Sequence, residues 1–233
     1  MRPRTHWTAC GTVPSARVTS GRVPIVIALA GLVVACVAAY VMGTPAPSLR
    51  GDAAARVLLD TWRQSRNATF VVDSDFTRTV ADGQQLEDTT RVVQHPPNDR
   101  LTTGFGSVSG RLNGHIYRCA ATSDTTSTCL QSTLAPDYES EVDHEVATLA
   151  SYVQGDRPLY RVTAFSDQSD PCFRLDLAVD VPAPPYGRHA LFCFDRTTLA
   201  PNLTVIERDE GIDRTQATSI KNTVTEADLQ VPR

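Results

Sequence analysis

The chain has 233 residues, 22 basic against 26 acidic, and a formal net charge of −4. Five arginines (Arg2, Arg4, Arg17, Arg22 and Arg50) fall in residues 1–50, which hold no Asp or Glu; 22 less 5 leaves 17 basic residues against 26 acidic, a net charge of −9 for residues 51–233. So acidic a segment excludes the usual nucleic-acid binder and argues against gripping anionic headgroups through a basic face.

The first recognisable element is the uncharged run Val23–Met42, VPIVIALAGLVVACVAAYVM. At about 1.5 Å per residue it is about 30 Å long as a helix, the thickness of a hydrocarbon core. Four arginines precede it, so the positive-inside rule predicts a single-pass cell-membrane protein with a cytoplasmic N-terminus and an extracytoplasmic C-terminal part. The run is longer than the usual apolar region of a cleaved signal, which favours a retained anchor. Cleavage remains open, as does acylation of Cys36 in the lipobox-like Val33-Val34-Ala35-Cys36, although the residues after Cys36 stay apolar. The domains expected are a basic tail (1–22), an anchor (23–42), a proline-bearing linker (43–51) and one exported domain (52–233) with enough chain for a real core.

In the exported part Asp52 is a candidate N-cap for a helix over 53–66, with Ala54, Val57, Leu58 and Trp62 on one face. From Thr69 to Val80 the period changes to two, Phe70, Val72 and Phe76 alternating with polar neighbours. Asp82-Gly83 predicts a hairpin into a strand over 86–94; Pro96-Pro97 punctuates before a strand near 101–105, and Asn113-Gly114 marks another tight turn. Residues 123–127, SDTTS, read as a polar loop. Tyr138, Val142, Val146, Leu149 and Val153 predict a second helix over 137–154, its early Glu139, Glu141, Asp143 and Glu145 suited to the positive end of the helix dipole. Strands are then expected over 160–165, 173–181, 189–194, 204–208 and 215–223, an α+β domain with a mainly antiparallel sheet.

Of six cysteines, Cys119, Cys129, Cys172 and Cys193 lie outside the tail and anchor. Four exported cysteines allow three pairings; the sequential one, Cys119–Cys129 with Cys172–Cys193, closes two short loops and is the expectation, because free thiols do not persist in an oxidising compartment.

The order of elements resembles a superfamily of exported bacterial half-barrels that includes LolA, RseB and lipoproteins of the LppX/LprG type. The resemblance rests on FVVDSDFTRTVADGQQLEDTTRVVQHPPNDRL after the first helix and on the ending from Phe194-Asp195 through Leu199-Ala200-Pro201 to TSIKNTVTEADLQVP. It implies a curved antiparallel half-barrel sheet with helices packed on its concave side, here preceded by one transmembrane helix. It also implies a cavity for a hydrophobic ligand, a lipid or a lipidated partner, with Phe70, Val72 and Phe76 facing it and Trp62 and the second helix as lid. A departure from that pattern is the pair of disulfides. The alternative within the same resemblance is an RseB-like regulatory module that contacts a membrane signalling protein.

Nothing in the chain reads as a catalytic or metal motif, and no cofactor is expected. Gly104–Gly110 fits neither a dinucleotide fingerprint nor a P-loop, and reads as a turn between strands. Asp143-His144-Glu145 holds metal-capable groups, but neighbours on a helix point in different directions. His95, His115 and His189 are isolated in sequence, and no strained nucleophile turn accompanies them.

Overall fold

In the computed structural model, residues 48–123, 126–167 and 170–230 are described. The basic tail, the hydrophobic run 23–42 and Cys36 lie outside them. No helix among the described residues is long and apolar enough to cross a membrane.

The elements are β1 (Leu49–Arg50), α1 (Asp52–Arg66), β2 (Phe70–Val80), β3 (Gln85–His95), β4 (Asp99–Gly104), β5 (Ser107–Leu112), β6 (His115–Ser123), β7 (Thr126–Leu134), α2 (Tyr138–Val153), β8 (Tyr160–Asp167), β9 (Asp170–Leu177), β10 (His189–Phe194), β11 (Pro201–Arg208) and β12 (Gly211–Lys221), with a short 3-10 turn at Glu226–Leu229. All 12 strands form one open sheet in the order β1-β8-β9-β10-β11-β12-β2-β3-β4-β5-β6-β7, every pairing antiparallel. Two helices on a large antiparallel sheet make this the α+β fold expected from the alternating periods.

The close of the sheet joins sequence-distant ends. β12 pairs with β2 from Gly211↔Val80 to Lys221↔Val71, with a bulge between Ala217 and Ser219. Gly211 is required there: a Cβ would sit 2.3 Å from the Thr79 carbonyl oxygen.

The main core lies between the helices and β8–β10. α1 contributes Ala54, Ala55, Leu58 and Leu59; α2 contributes Tyr138, Val142, Val146, Leu149 and Val153; the strands contribute Tyr160, Val162, Phe173, Leu175, Phe192 and Phe194. These are the i, i+3, i+4 stripes of two helices laid on the alternate positions of three strands. On the opposite face the chain folds its C-terminus back onto β4–β6. Leu229 packs on Leu101, Val108 and Cys119, and Arg91 of β3 pairs with both Asp73 and Asp228.

Several expectations change. The helix cap is Gly51, not Asp52: Gly51 has φ 63° and ψ −140°, no side chain caps the helix, and Asp52 is its first residue. That backbone conformation, easy for glycine, turns the chain out of β1, whose Leu49 and Arg50 pair with Ala164 and Thr163. The glycine-rich stretch is a turn only at Phe105-Gly106, with φ 53° and 64°; Ser107–Leu112 beyond it is the strand β5. Ser123 and Thr126, expected in a polar loop, instead pair as the ends of β6 and β7. Polar composition hid both strands, since small polar residues suit a sheet when cross-strand partners are present. The disulfides are the sequential pair, Cys119–Cys129 and Cys172–Cys193, each linking residues that sit opposite each other on neighbouring strands.

Candidate functional site

The side of the sheet that faces the helices can be followed from strand to strand. Phe192 pairs with Thr204, Thr204 with Thr215, and Thr215 with Phe76. Alternation then puts Phe70, Val72 and Phe76 of β2 on this side, and the ladder carries it to Gln94, Arg100 and Arg111. Of the four ligand-contact residues expected from sequence, two meet. Trp62 and Phe70 line one cavity of about 130 Å³ between α1, α2 and the sheet, with Val92, Phe192 and Phe194. Val72 adjoins Phe70 in a small buried cluster with Ala200. Phe76 lies about 20 Å up the strand from Phe70, where it packs edge-on against Phe105 at 4.8 Å.

Trp62 ties the helices together over that cavity. Its indole meets Phe192 edge to face at 5.5 Å, and its Nε1 donates to Glu145 of α2 at 3.0 Å. The last turn of α1 would leave orphan carbonyls. Buried Gln94 donates to the Ser65, Arg66 and Ala68 carbonyls (2.6, 3.0 and 2.9 Å), and the Tyr138 hydroxyl donates to the Arg66 carbonyl.

Charge organises the rest. Arg66 of α1 is 3% exposed; its guanidinium lies 3.2 Å from Glu141 and 2.8 Å from Glu145. Arg111 of β5 donates to Glu141 at 2.7 Å and to the Pro136 carbonyl at 2.6 Å. Both guanidiniums lie over the Tyr138 ring, 5.7 and 5.3 Å from its centre. Burial raises the Tyr138 hydroxyl above the usual range, so it stays a neutral donor. Asp137 caps α2 by accepting from the Ser140 amide at 2.9 Å, which holds its carboxyl below the usual range.

Arg100 of β4 stands between Arg66 and Arg111. Its guanidinium makes no hydrogen bond or ion pair among the described residues, and its Nε is buried without a partner. Burial first, then the neighbouring Arg66 charge, holds its pKa below the usual range. It lines both the cavity under Trp62 and a second one of about 200 Å³ beside Gly110, Arg111, Tyr117 and Glu141. Gly110 lets β5 approach here, as a Cβ would fall 1.9 Å from the Arg100 carbonyl oxygen.

The sequence reading did not single out Arg66, Gln94, Arg100 or Arg111, and it assigned Glu141 and Glu145 to the helix dipole. A signal was Glu141 and Glu145 one turn apart on the second helix, whereas Arg100 and Arg111 fell outside the strands expected there. Asp143-His144-Glu145 is indeed split, Asp143 going to Arg63 and Glu145 to Trp62 and Arg66. His189 meets Asp176 at 2.9 Å on the surface. A cavity of about 700 Å³ lies elsewhere, between the Val181–Pro185 loop and Arg188, Arg208 and Asp209. Its Arg188 is already paired with Asp209. Guanidiniums, carboxylates and aromatic rings converge around the cavity under Trp62 and the one beside Gly110.

No protein-family model and no curated protein matches the sequence. Several solved structures are similar to part of this chain. One is a chain of the Pseudomonas aeruginosa MucA/MucB complex, at 15% identity and a TM-score of 0.48, over 76% of this chain and 60% of that one. A second, MucB in complex with MucA(peri), has 14% identity and a TM-score of 0.41 over 76% and 59%; this chain therefore spans about three-fifths of the MucB chains. LprF from Mycobacterium bovis matches at 13% identity and 0.36, over 78% and 97%, and a LolA superfamily protein from Nitrosomonas europaea at 8% and 0.31, over 73% and 94%.

Proposed function

We propose that the described domain is an exported binding module that holds a hydrophobic ligand, a lipid or a lipidated partner, between its helices and its sheet, tethered to the cell membrane by the run 23–42. The observation that carries this reading is the cavity under Trp62, walled by Phe70, Val92, Phe192 and Phe194 and roofed by two helices. The two disulfides support export. At about 130 Å³ the cavity is smaller than the roughly 300–1,000 Å³ of a ligand site, so this is a closed state. Loading requires α2 to shift and the Glu141 and Glu145 ion pairs to yield. Apolar burial alone supplies the affinity, at roughly 25 cal/mol per Å² shielded from water.

Native mass spectrometry of the chain from an exporting host, before and after organic extraction, tests this. A stoichiometric lipid mass that extraction removes is the expected result. A clean unliganded mass under gentle conditions sinks it and favours the second reading, a regulatory module that contacts a membrane signalling protein. That reading has its own observation: Phe105 and Leu86, 56% and 54% exposed, stand at the tip of β3–β5, an apolar surface away from the helices.

A further inference from the structure

The helix-facing side of β3–β5 holds more positive than negative charge in a place that water reaches poorly. Among the described residues the acids that Arg66, Arg100 and Arg111 meet are Glu141 and Glu145, so three guanidiniums face two carboxylates there. Arg66 and Arg111 account for both acids, and the Pro136 carbonyl takes a further donor from Arg111. An uncompensated charge in such surroundings is costly to keep. It sits where an aromatic cavity and a second polar cavity adjoin, with Arg100 in the wall of each.

The geometry points to Arg100 as the anchor of an anion site, taking the carboxylate or phosphate of a ligand whose apolar part lies against Phe70, Val92 and Phe192. A guanidinium matches either oxyanion with paired N–H donors. This refines the hydrophobic-ligand reading and rests on it for the apolar half. It is also compatible with the acidic whole: the net charge of −9 disfavours an anionic surface approached from outside, whereas this positive charge lies in the walls of two cavities. The same oxyanion chemistry could come from the ligand's own head or from free phosphate, and the two sources separate experimentally.

The full chain in zwitterionic nanodiscs is titrated calorimetrically with octanoate, octanol and inorganic phosphate, empty nanodiscs giving the baseline. Octanoate is expected to bind at least about tenfold more tightly than octanol, the worth of one charge-assisted contact. Arg100→Gln should abolish that preference, while Arg100→Lys keeps part of it. Phosphate binding that Arg100→Gln weakens about tenfold supports the same site serving a free anion. Equal affinity for octanoate and octanol without phosphate binding overturns the anion site and leaves the hydrophobic-ligand reading standing. A preference that survives Arg100→Gln overturns it too. Phosphate binding with no response to octanol supports the anion site and sinks the hydrophobic ligand. Thermal melting verifies that Arg100→Gln remains folded, as expected for a side chain that makes no hydrogen bond.

Discussion

The two halves of the sheet meet the same two helices by different means. Under β8–β10 the contact is apolar: Tyr160, Val162, Phe173, Leu175, Phe192 and Phe194 close against the stripes of α1 and α2. Toward β3–β5 it is polar, and Gln94, Arg100 and Arg111 face Glu141 and the end of α1. α2 belongs to both, with Val142, Val146, Leu149 and Val153 on one side and Glu141 and Glu145 on the other. Dispersion and burial hold the first contact, and the ion pairs of Arg66 and Arg111 with Glu141 and Glu145 hold the second.

The contrast is broken hardest in the apolar half. Phe173→Ala should cost about 3–5 kcal/mol, read as a lower urea midpoint; a loss below about 1 kcal/mol would mean the helices do not depend on that core. Removing Cys172–Cys193 as a double serine variant should cost about 2–4 kcal/mol. Its loop, 21 residues in separation against 10 for Cys119–Cys129, makes it the costlier loss by about 0.6 kcal/mol in the chain-entropy account. In the polar half, Glu145→Gln takes one carboxylate from Arg66 and weakens the acceptor for Trp62. Because Glu145 is partly exposed, about 1–2 kcal/mol is expected, with faster hydrogen exchange in the first turns of α2. Unchanged exchange there would show that the ion pairs do not hold the lid.

Alkali probes the apolar half again. Burial, chiefly, pushes Tyr186 up to about 12, and Tyr160 is raised as well. An acid whose folded pKa lies above its unfolded value near 10 stabilises fully below that value and loses its contribution as pH rises toward 12. Stability should therefore fall across pH 10–12, and absorbance near 295 nm should show Tyr186 ionising with unfolding instead of ahead of it. The smallest change belongs to the exposed tip: Phe105→Gly removes a bulky residue from φ 53° and should alter stability by less than about 1 kcal/mol. Under the regulatory reading it would still weaken partner capture.

Period and punctuation made most elements legible. Phe70, Val72 and Phe76 spell a strand, and Tyr138, Val142, Val146, Leu149 and Val153 spell a helix, because a half-buried element must repeat its dry face at its own period. The sequential disulfides could be read for a related reason, since each joins neighbouring strands of a meander. Ser107–Leu112 and Thr126–Leu134 were not legible: their residues are small and polar, and only the strands beside them make them strands. The candidate site divides the same way. Trp62 and Phe70 announced themselves as large apolar residues on periodic faces. Arg100 did not, because an arginine in a strand reads as solvated until its surroundings are known. Local periodicity thus determined which segments fold and which side of each is dry. Only the tertiary structure decided which charges are enclosed together, because the number of partners a guanidinium finds depends on residues from α1, β4, β5 and α2 that no local pattern connects.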